Sequence, residues 1–367
     1  MKVPLLDLEA QYAGIKEELA EAIEAVIESH AYCNGPAVRI LEGRLAEYCG
    51  CAAAVAVSSG TDALLCSLMA LGVGAGDEVI TTPFTFFATA GVVWRLGARC
   101  VFVDIEPETF NIDPAGIEPA ITERTRAVIP VHLFGQVAEM DPILAVAERH
   151  GLAVVEDAAQ AIGATYRGRK AGSMGTVGCL SFYPTKNLGA MGDAGMILTQ
   201  DIELAEKLSA LRVHGETRKY FHELVGGNFR MDSIQAAVLT VKLRHLDAWT
   251  ARRRAIAARY DEMLAGVSEV ITPTVRDCCA SVYNQYVIRV PRRDELKDFL
   301  AGRGVATGIY YPLSLHQQEC FRSWGYRPGD FPESERAAAE VLALPVYPEL
   351  SDEQVAYVAG AIREFFA

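Results

Sequence analysis

The tightest constraint on this chain lies between residues 53 and 200, where short apolar runs alternate with helical patterns. The runs fall at 53–57, 78–81, 100–104, 127–131, 153–156, 178–182 and 195–199, with helical periodicity over 61–71, 86–95, 142–150 and 202–213. Strands that are apolar throughout, without an in-out alternation, belong to sheets covered on both faces. The pattern therefore predicts an α/β fold with a mainly parallel sheet. In such sheets ligands sit beyond the carboxyl ends of the strands.

A helix is predicted over 16–28, where Leu19, Ile23, Val26 and Ile27 recur among charges. After the sheet, Leu243, Leu246, Trp249, Ile256, Tyr260 and Leu264 keep helical spacing, which predicts one long helix over 232–265. Beyond it, Val282, Asn284, Tyr286, Ile288 and Val290 alternate as one face of a strand. A helix over 293–302, a strand over 305–311 and helices over 333–342 and 351–366 complete a smaller α+β unit. The expected division is a large cofactor-binding domain, 1–250, and a small C-terminal α+β domain, 251–367.

The opening Met1–Glu9 turns acidic before any long apolar stretch, unlike a secretory signal. The longest uncharged stretch, 79–94, is broken by Pro83 and is short for a spanning helix. No membrane partner is expected. The nine cysteines form no CxxC pair, and neither Cys49-Gly-Cys51 nor Cys278-Cys279 has a histidine at ligand spacing. They read as small hydrophobes in a reducing cytoplasm, with no metal site. A formal charge of −13 disfavours nucleic acid as a partner. The basic run Arg252-Arg-Arg254 lies in a helical pattern and reads as a solvated face.

Two segments carry chemistry. Lys186 stands in Ser181-Phe-Tyr-Pro-Thr-Lys-Asn-Leu-Gly-Ala190, just past an apolar strand. Among eight lysines it alone has apolar and glycine neighbours, where desolvation frees an amine for attack on an aldehyde. Val154-Val-Glu-Asp-Ala-Ala-Gln160 is a strand ending in a carboxylate, Asp157. Together they suit pyridoxal 5'-phosphate: a Schiff base at Lys186, and at Asp157 a partner that keeps the pyridine nitrogen protonated. Taken singly, Lys186 is a loop lysine and Asp157 a helix cap; the pairing favours the cofactor. Gly60 and Thr61, in Ser58-Ser-Gly-Thr-Asp62, open a helix after a strand, a place where free N–H groups receive phosphate or where an ordinary N-cap sits. Pro83-Phe-Thr-Phe-Phe-Ala-Thr89 sets rings at another strand end, one of them available to stack on a flat cofactor. Phe84 and Phe87 read as core. Gly72-Val-Gly-Ala-Gly76 precedes a strand and fails the context of a dinucleotide fingerprint.

With Ser59-Gly-Thr-Asp-Ala-Leu64, Glu156-Asp-Ala-Ala-Gln160, Ser181-Phe-Tyr-Pro-Thr-Lys186 and Gly227-Asn-Phe-Arg-Met-Asp232 in this order, the chain resembles the DegT/DnrJ/EryC1/StrS family of nucleotide-sugar aminotransferases, up to about residue 348. The resemblance implies the aspartate aminotransferase-like fold (type I) and a homodimer with shared active sites. Lys186 matches the Schiff-base lysine, Asp157 the partner of the ring nitrogen, Gln160 a group near the phenolic oxygen and Phe86 the stacking aromatic. Gly60, Thr61 and Ser181 match the phosphate cup, and Asn228 an asparagine given by the other subunit. Arg230 is a candidate for the donor carboxylate, or a structural ion pair, and Tyr311 matches a substrate-binding position. The chain departs from the family at Ala194, in Gly192-Asp-Ala-Gly195, where relatives usually carry glycine. It departs again at Tyr310, where many carry histidine.

The resemblance implies amino transfer from L-glutamate to a keto group of a nucleotide-linked sugar, with pyridoxamine phosphate as intermediate. Lys219-Tyr-Phe-His222 ahead of the Gly227 block looks more like members acting at C3 than at C4. The rivals are a C4-specific aminotransferase, a sugar dehydratase, disfavoured because those relatives replace the lysine by histidine, and a non-enzymatic regulator of the same fold.

Overall fold

A computed structural model describes all 367 residues. Two helices, α1 (Leu8–Ser29) and α2 (Pro36–Cys49), precede a seven-stranded sheet. Its strands are β1 (Ala53–Val57), β2 (Glu78–Thr81), β3 (Arg99–Phe102), β4 (Thr125–Val128), β5 (Ala153–Asp157), β6 (Val177–Ser181) and β7 (Gly195–Thr199), in the order β1-β7-β6-β5-β4-β2-β3. β3, β2, β4, β5 and β6 pair in parallel, and β7 runs antiparallel between β6 and β1.

Both faces of the sheet are covered, so its strands place apolar residues on both sides. Ala56, Ile80, Val128, Val154, Leu180 and Met196 point into a core closed by α2, by α5 (Met140–His150) and by α7 (Ser233–Leu243). Their neighbours Val55, Val57, Val79, Ala127, Val155, Cys179 and Ile197 point the other way, onto α3 (Gly60–Ala70), α4 (Ala88–Arg95) and α6 (Ile202–Leu211). No helix is long and apolar enough to cross a membrane.

A third core gathers Ile256, Tyr260 and Leu264 of α8 (Leu246–Leu264) with the antiparallel pair β8 (Tyr286–Arg289) and β9 (Val341–Leu344). α9 (Arg293–Gly302), α11 (Asp352–Phe366) and Val3 pack into the same cluster, whereas Ala337 and Ala338 of α10 (Pro332–Glu340) join a smaller one with Phe84 and Phe134.

Several expectations need correction. The single helix over 232–265 is two: α7 stops at Leu243 because it packs on α1 and α2, whereas α8 must turn to meet α11. The strand expected over 305–311 is reduced to isolated bridges, Val305 with Val3 and Gly308 with Ala343. Val282 is not in a ladder; its N–H goes to the Gly135 carbonyl and its own carbonyl to Asn187. Arg252-Arg-Arg254 is a solvated face only in part: Arg254 is exposed and Arg252 half-buried. Arg253 is buried and donates to the Tyr283 and Val346 carbonyls, Arg254 to Ser281 and Arg252 to Leu350, tying α8 to the chain around it. Phe84 is core, but Phe87 is about half exposed and stacks on Phe321 with ring centroids 5.3 Å apart.

Candidate active site

A cavity of about 600 Å³ opens past the carboxyl ends of β5 and β6. Gly60, Thr61, Phe86, Asp157, Gln160, Ser181, Lys186 and Tyr311 all line it, although the sequence spreads them over 252 positions, from 60 to 311.

Asp157 ends β5 and is 5 % exposed. Thr89 Oγ1 donates to its Oδ2 at 2.8 Å and the Ala159 N–H to its Oδ1 at 3.3 Å. Burial raises this carboxyl above its ordinary range, against those two hydrogen bonds and the charge of Lys186. A buried carboxylate with no cation in contact favours a positively charged partner in the cavity.

Behind Asp157 the strand end is held by a closed network. His132 Nε2 donates to Glu156 Oε2 at 2.8 Å while its Nδ1 accepts from the Ala138 N–H at 3.2 Å, which sets the tautomer. Glu156 also accepts from the Gly172, Met174 and Gly175 N–H groups. Nothing in the sequence pattern singled out His132, and Glu156 entered only as part of a motif.

Lys186 sits on a turn between β6 and β7, closed by Lys186 N–H to Tyr183 O at 2.9 Å and Ala190 N–H to Phe182 O at 2.7 Å. Burial brings its ammonium down to about 8, with the Asp157 charge opposing. A lysine so placed has a substantial neutral fraction near neutral pH, as a nucleophile requires.

The N-terminus of α3 meets the end of β6 at Gly60. A Cβ there would lie 2.6 Å from Ser181 Cβ, so only glycine allows the close approach. Ser59 caps the helix, accepting from the Asp62 N–H at 3.0 Å. The result is a helix N-terminus and a serine side by side, a seat for a phosphate. Facing it, Gln160 Oε1 accepts from the Phe134 N–H at 2.7 Å and its Nε2 donates to Tyr311 Oη at 3.2 Å. Phe86 stands at the mouth, 56 % exposed, its ring centroid 6.2 Å from that of Tyr311.

These features fit pyridoxal phosphate: an aldehyde-reactive lysine, a buried carboxylate for a ring nitrogen, a cradle for a phosphate and an exposed ring to stack. Lys186 is the only cation among the lining residues. Two expected residues are not brought into the cavity of this chain. Asn228 and Arg230 lie on a segment bridged to Val213 and Val57. Thr85, Tyr183, Asp193, Gln285 and Tyr310 line the cavity without having been named as site residues, although the departure at Tyr310 had drawn attention to it. Ala194 is buried, and its carbonyl accepts from the Phe182 N–H.

The chain is similar to known proteins along its whole length. The chain is 53% identical to the pleiotropic regulatory protein of Geobacillus stearothermophilus, over 100% of this chain and 99% of that one. It is 44% identical to the UDP-N-acetyl-3-dehydro-alpha-D-glucosamine 3-aminotransferase of Acidithiobacillus ferrooxidans, over 98% and 97%. Among solved structures, DesV of S. venezuelae in complex with a ketimine intermediate superposes with TM-score 0.97 at 44% identity, over 99% of this chain and 98% of that one. Since the model of the DegT/DnrJ/EryC1/StrS aminotransferase family matches residues 13–363, the chain belongs to that family.

Proposed function

We propose that the protein moves the amino group of L-glutamate to the C3 keto carbon of a nucleotide-linked sugar, using pyridoxal phosphate held by Lys186. The observation that carries this is the meeting of a pKa-lowered lysine, a buried carboxylate and a glycine-opened helix N-terminus in one cavity. The cofactor, when bound, supplies an electron sink for the carbanion left by removal of an α-proton. Asp157 holds a proton at the ring nitrogen. Lys186 Nζ, freed by the amino donor, would serve as the base that takes the α-proton and gives it back. Gly60, Thr61 and Ser181 would hold the phosphate, Phe86 would cover the ring, Gln160 would stand near the phenolic oxygen and Tyr311 would meet the substrate. Fixing these groups in one geometry supplies much of the rate, since proximity contributes up to roughly 7–11 kcal/mol.

Asn228 and Arg230 lie outside this chain's cavity, and Arg230 forms no ion pair within the chain, which supports their serving the site of a partner subunit in a homodimer. A dianionic nucleotide sugar needs more positive charge than Lys186 alone provides. The exposed cations of the segment before Gly227, Arg218 and Lys219, are available to a partner's cavity for that purpose.

Transfer at C3 is supported by the Acidithiobacillus relative, whose name places the amino group there. The regulatory name of the Geobacillus relative favours a second reading, a regulator that keeps the fold; the intact Lys186–Asp157 pair weighs against it. The deciding experiment supplies nitrogen-labelled L-glutamate with deoxythymidine- and uridine-linked 3-keto and 4-keto sugars and locates the label by NMR. Label at C3 is expected. Label at C4 replaces the regiochemistry, a deoxygenated sugar without label points to a dehydratase, and bound cofactor without any turnover supports the regulator.

A further inference from the structure

Lys242 is 5 % exposed, the only lysine of the chain so deeply buried by accessible surface, and no step above uses it. It projects from α7 beneath the Lys186 turn. Its Nζ donates to the Gly189 carbonyl at 2.8 Å and to Gln11 Oε1, on α1, at 3.1 Å. Burial pulls this ammonium down to about 8, with Glu349 opposing. Charged or neutral, Nζ carries at least two N–H groups, enough for both hydrogen bonds. Two turns earlier on the same helix, Gln235 exchanges two hydrogen bonds with the backbone of Met191, at 2.8 and 3.1 Å. On the other side Asn187 Nδ2 reaches the Val282 carbonyl at 2.9 Å.

The turn from Phe182 to Met191 is therefore held by two side chains of α7 and by its own Asn187, and Lys242 is the only charged one. Burying an ammonium is costly, and an apolar side chain of equal volume fills such a space without that cost. What the apolar residue lacks is a donor for Gly189. The Gly189 backbone is packed tightly: a Cβ there would lie 2.3 Å from Pro184 O, so the turn has one compact form for the donor to hold.

We propose that Lys242 is a positioning residue for Lys186: through the Gly189 carbonyl it fixes the turn from which the Lys186 amine reaches the cofactor aldehyde. The proposal rests on Lys186 being the cofactor lysine. A lysine stem has four rotatable carbons, so the placement of Nζ depends on where the turn holds its backbone. Lys242 touches neither cofactor nor substrate. Loss of it loosens the turn before it weakens the fold.

The test uses the full chain carrying K242M, which keeps the stem and removes the donors, and K242R, which keeps donors. Hydrogen exchange of the 182–191 peptide is followed without pyridoxal phosphate, and the rate of pyridoxal phosphate capture is followed by its visible spectrum. In K242M exchange in this peptide is expected to rise about tenfold or more, while β5 and α3 keep their protection. Capture is expected to slow roughly 10- to 100-fold, the scale of a misplaced reacting group, with bound cofactor at saturation unchanged. K242R restores most of both. If K242M does not fold, K242Q, too short to bridge to Gly189, carries the same expectations. Unchanged exchange in the 182–191 peptide overturns the proposal, as does protection lost uniformly across the chain, which marks a structural lysine. If the turn loosens but the wild type itself captures no cofactor, the assignment of Lys186 fails while the hold of Lys242 on the turn stands.

Discussion

Replacing Asp157 by Asn separates the cost of this carboxylate in the free protein from its use in the loaded one, because the two effects have opposite signs. Asn keeps the shape, and Thr89 Oγ1, which also shares a hydrogen bond with Thr85 Oγ1 at 3.1 Å, accepts or donates as needed. What disappears is a buried charge. The carboxyl pKa is raised in the fold by burial, so its stability contribution is fully present below the unfolded value and is lost as pH rises through the folded one. At neutral pH the cofactor-free wild type carries that penalty and the variant does not. Thermal unfolding of the cofactor-free variant at neutral pH is therefore expected at or above the wild-type midpoint, with a flatter acid-side profile. With cofactor the sign reverses: the lost charge-assisted hydrogen bond is worth about 1.5–3 kcal/mol, or roughly a 10- to 150-fold weaker Kd at about 1.4 kcal/mol per factor of ten. Spectrophotometric titration with pyridoxal phosphate measures it. A cofactor-free variant destabilised by more than about 2 kcal/mol, a large effect for an isosteric change, or an unchanged cofactor Kd, would refute the assignment of Asp157 to the ring nitrogen.

Three further expectations follow from named contacts. The rate of cofactor capture rises with pH with a midpoint near 8, where Lys186 loses its proton; because this pKa is depressed, the matching stability contribution is present at high pH and is lost as pH falls through about 8. A capture midpoint at the ordinary lysine value would contradict the burial of Lys186. Gly60→Ala forces its methyl onto Ser181 Cβ and is expected to cost about 1–3 kcal/mol by denaturant unfolding, with weaker binding of inorganic phosphate; Ser181→Gly in the same chain recovers stability without recovering phosphate affinity. Phe86→Ala leaves the unfolding midpoint of the cofactor-free protein unchanged, because the ring is exposed, yet weakens the cofactor by about 0.5–1.5 kcal/mol, the stacking contribution. Equal losses in both forms would assign the ring to the fold instead.

The seven strands and the cavity they end in were legible because fully buried parallel strands write themselves as apolar runs. Lys186 and Asp157 were legible because a lysine among apolar residues and a carboxylate at a strand end break those runs. Less visible were features decided by partners distant in sequence. α2 has a glycine N-cap with no side-chain hydrogen bond, which leaves Pro36 at the first helical position as a lone mark of its start. The break after Leu243 leaves the apolar spacing intact, since both halves bury a stripe, but against different neighbours. Arg253 looked solvated because its carbonyl partners, Tyr283 and Val346, lie 30 and 93 positions away. Phe87 carries an aromatic signal identical to that of Phe84, and only the start of α4 turns it outward onto Phe321. Thr89, the residue that touches Asp157, gave no signal at all, because a threonine in an alanine-rich helix start has many ordinary roles. Lys242 falls inside the helical pattern over 232–265 with no signal of its own; its burial depends on the turn from the sheet that comes to rest against α7.

The most direct test of the account is the visible absorption spectrum of the purified protein with pyridoxal phosphate, before and after L-glutamate, beside Lys186→Ala. The account predicts a yellow species in the wild type that bleaches to the pyridoxamine form on addition of L-glutamate, and no such species in the variant. A wild type that never turns yellow would contradict the cofactor assignment itself; yellow that persists in L-glutamate would contradict transamination from this donor.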